Sequence, residues 1–173
     1  MHMSLFSRIC TTAALVLALA APAAAQAPSQ PATGGDEESM LLGLGLTFMN
    51  MSESTGVGFN ANMLFNSLTE NETGRLGVVG DLGFNRFSGA TVTTVMGGLR
   101  YTFETNGRVL PYGQFLVGVM HCCDDTDFVP SIGAGLDVAW LENVNFRGEL
   151  SFIFSDANAA RFFLGVSLPI ARR

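Results

Sequence analysis

Gly56-Val57-Gly58-Phe59-Asn60-Ala61-Asn62-Met63-Leu64-Phe65 is the stretch that decides the fold. Val57, Phe59, Ala61, Met63 and Phe65 fall on one face, and Gly56, Gly58, Asn60 and Asn62 on the other. A period of two is the mark of a strand whose two faces meet different surroundings. Before it, Leu42, Leu44, Leu46 and Phe48 alternate with Gly43, Gly45 and Thr47; after it, Leu76, Val78, Leu82 and Phe84 oppose Gly77, Asp81, Gly83 and Asn85. Five more such stretches follow. Val95, Leu99, Tyr101 and Phe103 stand against Thr94, Met96, Gly98, Arg100 and Thr102, and Val109, Phe115, Val117 and Val119 against Tyr112, Gln114 and Gly118. Ile132, Ala134, Leu136, Val138 and Trp140 oppose Ser131, Gly133, Gly135 and Asp137. Val144, Phe146, Leu150, Phe152 and Phe154 oppose Asn145, Arg147, Glu149 and Ser151, and Phe162, Leu164, Val166, Leu168 and Ile170 oppose Phe163, Gly165 and Ser167.

Turn signals separate these stretches: Ser52-Glu53-Ser54, Asn71-Glu72-Thr73-Gly74, Ser88-Gly89, Asn106-Gly107, residues 121–127, Glu142-Asn143 and residues 155–160. The spacing predicts eight strands of roughly 10–13 residues joined by hairpins. An even-numbered antiparallel meander of this length closes most economically into an eight-stranded up-and-down barrel.

Composition says which face points inward. The chain is 48% hydrophobic and only 14% charged. A water-soluble barrel needs an outer face of which roughly a quarter to a third is charged. Here the polar face is mostly Gly, Asn, Ser and Thr, which suit a cramped lumen, while the other face is Leu, Val and Phe, which suit hydrocarbon. The predicted fold is therefore an all-β transmembrane barrel with its apolar face outward; a soluble periplasmic lipocalin-like lipid-binding barrel is the alternative. With the N-terminus periplasmic, Phe65, Tyr101, Phe103 and Trp140 all fall near the periplasmic rim, where aromatic rings favour the interface.

The few charges of the polar face have both signs: Asp81, Arg100, Asp137, Arg147 and Glu149. An unpaired charge in a narrow barrel costs several kcal/mol, so these residues are expected to form one lumenal charge network. With Tyr112 and Gln114 they fill the middle, and eight strands leave no continuous aqueous channel, whereas porins use about sixteen or more.

Formal net charge is −6, and all nine basic residues are Arg. Such a chain has no basic stripe to hold a phosphate backbone, which excludes nucleic acid as a partner. Residues 1–25 read as an export signal: His2 and Arg8 form a short polar region, residues 9–21 are mostly apolar, and Ala23-Ala24-Ala25 offers a small-residue cleavage site. Removing Arg8 with the signal leaves eight basic against fifteen acidic residues, a net charge of −7. Residues 26–39, QAPSQPATGGDEES, read as a flexible linker, and residues 40–173 as the barrel domain.

Gly97-Gly98-Leu99-Arg100-Tyr101-Thr102-Phe103, Pro111-Tyr112, Gly133-Ala134-Gly135-Leu136-Asp137 and Phe146-Arg147-Gly148-Glu149 resemble the bacterial outer-membrane β-barrel domain family. These are the small porin-like or opacity-type barrels, similar in architecture to the OmpA transmembrane domain. The resemblance covers residues 40–173 and implies a Gram-negative outer membrane, lipid as the main partner, barrel-assembly machinery during insertion, and a monomer that meets a surface ligand, if any, through short loops.

His121-Cys122-Cys123-Asp124-Asp125-Thr126-Asp127 is the one chemically rich stretch. Adjacent cysteines lack the spacing of a zinc site, and the carboxylates do not follow a calcium-loop pattern. With Cys10 removed by cleavage, Cys122 and Cys123 are the only cysteines in an oxidising compartment, and a vicinal disulfide rigidifying the loop is the leading reading. A solvated acidic loop with free or intermolecular thiols is the alternative, and a metal site the weakest. No cofactor, metal or catalytic residue is expected. The mature chain has one histidine, His121, and no serine beside it to form a His–Ser–acid constellation, so a lipid-modifying enzyme is the least favoured function. The favoured one is a structural or surface-interaction barrel.

Overall fold

The computed structural model describes residues 40–170 apart from Glu53, Glu72, Asp124 and Glu142. The signal and linker predicted over residues 1–39 lie outside the described residues. Eight strands run in order: β1 (Met40–Met51), β2 (Ser54–Asn71), β3 (Gly74–Arg86), β4 (Thr91–Phe103), β5 (Val109–Cys122), β6 (Asp125–Leu141), β7 (Val144–Ile153) and β8 (Ala159–Ile170). Each pairs antiparallel with the next, and β8 pairs with β1, so the sheet closes into a barrel without an edge. Closure gives every strand a hydrogen-bonded neighbour on both sides, the condition for β structure in hydrocarbon.

The stagger follows from the pairing. Leu41 faces Leu64, then Val79, Gly98, Leu116, Ser131, Ile153 and Ala159, which returns to β1 at Met51. One circuit thus advances ten residues along β1. With eight strands about 4.8 Å apart and a rise of roughly 3.3 Å per residue, the strands tilt by about 40°. Both termini of the barrel lie at one end, called here the terminal end; the hairpins after β1, β3, β5 and β7 form the distal end.

Alternation places the apolar face outside. Leu44, Leu46, Phe59, Leu82, Phe84, Leu99, Phe115, Ile132 and Leu164 are exposed, while Asn60, Asn62, Asp81, Arg100, Gln114, Arg147 and Glu149 are buried. That distribution is the reverse of a soluble barrel and disposes of the lipocalin-like alternative.

Three local details differ from the sequence reading. β2 and β6 are longer than expected, at 18 and 17 residues, with register shifts between Phe65 and Thr69 in β2 and between Ala139 and Leu141 in β6. Residues 121–127 are not a loop: His121 pairs with Thr126 and Cys122 with Asp125, so the ladder runs to the tip. Polar residues with weak strand propensity continue a strand when the partner strand supplies the register. The third is the start of β8, which takes in Ala159 and Ala160, read from the sequence as the end of a turn, and so places Arg161 within the strand.

A lipid-facing charge near mid-belt gives a direct check of this orientation. Leu99 points outward between Val78 and Phe115, whereas Thr91 sits outward at the distal rim. Leu99→Arg is expected to lower the unfolding free energy in lipid vesicles by about 2–4 kcal/mol, and Thr91→Arg by no more than about 1. Urea titration followed by Trp140 fluorescence measures both, and equal losses would place the apolar face elsewhere.

Candidate functional site

The lumen is where the polar chemistry of the chain converges. Arg147 on β7 grips Asp137 on β6 with two parallel bonds, Nε to Oδ1 and Nη2 to Oδ2, each 2.7 Å. Its third nitrogen, Nη1, donates to Asn62 on β2. The two strands place Asp137 and Arg147 directly opposite each other, so the fork needs no displacement of backbone. A bidentate guanidinium–carboxylate pair is among the strongest charge-assisted geometries available. Gly43 on β1 makes the room: a Cβ there would collide with the Asn62 amide and approach Arg147 Nη1 to 3.0 Å.

Arg161 on β8 holds Asp81 on β3 through Nη1 at 2.8 Å and Nη2 at 3.3 Å, and its Nε donates to Ser151 Oγ at 3.2 Å. Asn60 Nδ2 donates to Asp81 at 3.0 Å, and Asn62 Nδ2 to Asn60 Oδ1 at 3.3 Å, which joins this group to the Arg147 pair. Glu149 on β7 ties in the rest. It accepts from Tyr112 Oη at 2.8 Å and Gln114 Nε2 at 2.7 Å, lies 3.4 Å from Arg100 Nη2, and lies 3.9 Å from Arg161 Nη2. Arg100 also donates to Gln114 Oε1 through Nε and Nη2. Its Nη1 has no hydrogen-bond partner among the described residues, and the guanidinium instead stacks 4.1 Å over the Tyr112 ring. Gly135 admits that ring, since a Cβ there would stand 2.5 Å from Tyr112 Cζ.

Three arginines and three carboxylates thus meet in one buried network drawn from seven strands, and their formal charges cancel. The structure brings together Asp81, Arg100, Asp137, Arg147 and Glu149, the five residues singled out in the sequence. It adds Arg161, which the sequence reading missed. Two signals were there: Arg161 shares the parity of Phe163 and Ser167, and five charges with two arginines leave one carboxylate without a counter-ion.

Toward the distal end the lumen changes character. Met49, Phe87, Val92, Met96, Leu116, Met120, Val129, Ile153 and Ala159 pack into a buried apolar cluster with Met51 and Cys122 against it. These residues carry the parity of the polar face, and nothing in a two-period reading separated them from it. The hairpins over them are tight, with two residues between β1 and β2 and between β5 and β6, residues 87–90 between β3 and β4, and residues 154–158 between β7 and β8. Apolar side chains therefore fill one end of the lumen, and ion pairs its middle.

The aromatic residues singled out in the sequence lie at the terminal end. Tyr101 and Phe103 meet edge to face with centroids 4.9 Å apart, Trp140 stacks on Phe146 at 4.0 Å, and Phe65 and Phe103 are exposed. Tyr101 Oη bonds Thr73 Oγ1 at 2.9 Å, anchoring the polar tip to the rim. Exposed Phe59, Phe84, Phe128 and Phe154 ring the opposite end.

At the distal tip, Cys122 and Cys123 are free thiols with Sγ atoms 2.9 Å apart, not the vicinal disulfide expected from the sequence. His121 Nδ1 is engaged with Thr126 Oγ1 at 2.8 Å.

The family model for the outer membrane protein β-barrel domain matches residues 11–167. No curated protein matches the chain in sequence. Among solved structures, Neisserial surface protein A aligns with a TM-score of 0.58 at 12% identity, over 76% of this chain and 96% of that one. Ail, the attachment invasion locus protein of Yersinia pestis, aligns at 0.53 and 17%, over 76% and 97%. The outer membrane enzyme PagL aligns at 0.56 and 15%, over 76% and 99%. Identities this low speak to the fold alone.

Removing one member of the network leaves its partner buried and uncompensated, which costs about 3–5 kcal/mol, against under about 1 for an exposed group. Arg147→Ala and Arg161→Ala are each expected to lower the urea midpoint of the refolded barrel in detergent far more than Arg108→Ala, in the exposed β4–β5 turn. Equal shifts for Arg147→Ala and Arg108→Ala would refute the interior assignment.

Proposed function

This chain belongs to the outer membrane protein β-barrel domain family, and we propose that within it the chain is a non-enzymatic, sealed barrel with a structural role in the outer membrane. The observation that carries the reading is the lumen itself, closed in the middle by a charge-balanced ion network and toward the distal end by packed apolar side chains. A conduit needs polar groups left free to trade partners with a solute. Here Asp81, Asp137 and Glu149 are each committed to an arginine.

The distal end is the extracellular one, and its two- to five-residue hairpins favour a structural role over capture of a ligand by displayed loops. Chemistry on lipid has little to work with. Asp137 and Glu149 are buried in the lumen, away from the lipid face, and His121 hydrogen-bonds a threonine rather than a serine nucleophile. On this reading the chain is exported by a cleaved signal over residues 1–25, inserted by barrel-assembly machinery, and remains a monomer whose main partner is lipid.

Planar-bilayer recordings of the purified barrel are expected to show no stable conductance steps, and mass spectrometry of outer-membrane lipid incubated with it no change in acyl chains. Steady steps of porin size would overturn the sealed lumen, and turnover lost in His121→Ala would overturn the non-enzymatic role.

A further inference from the structure

The lumen and the lipid face leave one pair of reactive groups unused. β5 ends on Cys122, half-buried against the apolar cluster, and Cys123 follows in the turn, exposed, with φ of 55°. A left-handed residue in a tight hairpin is ordinarily Gly or Asn, so a cysteine is held here in a conformation its side chain does not favour. The two Sγ atoms are 2.9 Å apart, within about 1 Å of the roughly 2.05 Å of a disulfide bond. They are poised for closure and not closed.

We propose that Cys122 and Cys123 form a thiol–disulfide exchange site at the distal end of the barrel, whose substrates are small disulfides of the glutathione type. Cys123, the exposed thiol, loses its proton to solvent and attacks one sulfur of the substrate, forming a mixed disulfide and releasing the first thiolate, which takes up a proton. Cys122 then gives up its proton, its sulfur attacks Cys123 Sγ, and the second thiol departs. Two cysteine thiols are oxidised to one disulfide, and the substrate disulfide is reduced to two thiols. Excess small thiol reverses both steps.

Reversibility follows from geometry. Cα atoms joined by a trans peptide are fixed at about 3.8 Å, below the roughly 4.4–6.8 Å over which disulfides are relaxed. A strained, exposed disulfide is labile and belongs to the regulatory or catalytic class rather than the structural one. The outer leaflet faces an oxidising medium and so does the periplasm, so substrates of this class are met on either side of the membrane.

The test uses the mature protein folded in detergent, reduced, and then exposed to glutathione disulfide, with intact mass as the readout and gel migration of unboiled sample as the check on folding. Wild type is expected to become two hydrogens lighter with no glutathione retained, and to revert in excess reduced glutathione. Cys122→Ser is expected to keep one glutathione on Cys123. Cys123→Ser is expected to acquire its adduct at least about tenfold more slowly, because the remaining thiol is half-buried. A stable glutathione adduct on wild type, disulfide-linked dimers, or equal rates for the two variants would each overturn the proposal.

Discussion

The charges inside this barrel must cancel, and the rest of the architecture is arranged around that requirement. Six ionised side chains stand in a lumen narrow enough to bury Arg100, Arg147 and Arg161 almost completely. An ion in such a place loses several kcal/mol of hydration, recovered only when its partner is close and its remaining bonds are filled. Asp137 provides that closeness for Arg147 through two 2.7 Å bonds, and Asn62 fills the third direction. Glu149 stands between two arginines and is further quieted by Tyr112 and Gln114. The small residues of the polar face are the complement of these long ones: glycine at 43 and 135 leaves the volume that Arg147 and Tyr112 occupy.

The lumen is filled by two unlike materials, and each suits its place. Ion pairs are directional and hold the middle of the barrel in one register, because a slip of one residue would send every charge to the lipid face. The distal cluster has no such direction. Met49, Met96 and Met120 are flexible side chains that fill an irregular space beneath tight hairpins. A barrel capped by packing in this way does not depend on long loops folded into its mouth, consistent with turns of two to five residues over it.

The strands were legible in the sequence because the two faces differ so sharply: Leu, Val and Phe against Gly, Asn and Ser. Which face turned inward was legible too, from a charge content too low for a water-facing surface. What escaped was whatever the two-period pattern shares between different environments. Met49, Val92, Met120 and Ile153 sit on the inward parity like Asn62 and Asp81, and only the closed stagger reveals that one end of the lumen is apolar. Arg161 escaped because it falls between residues 155–160, which read as a turn, and Phe162, where the strand alternation becomes plain; its place two residues inside β8 depends on its pairing with Met49 and Ser151. Residues 121–127 read as a loop from their composition, yet cross-strand pairing carries the ladder through His121 and Cys122.

Closure of the sheet and neutralisation of the lumen are one event, and this follows from which strand carries which charge. Asp81 lies on β3, but its counter-ion Arg161 lies 80 residues later on β8. With β1 to β7 in place, the lumen holds Arg100 and Arg147 against Asp81, Asp137 and Glu149, an excess of one negative charge. β8 brings the third arginine only as it docks, because its register with β7 sets Arg161 opposite Ser151 and its register with β1 sets it opposite Met49. Those same ladders satisfy the two sheet edges that hydrocarbon cannot tolerate open. The last strand therefore removes the exposed edges and the uncompensated carboxylate together, and a partly closed barrel is disfavoured on both counts at once.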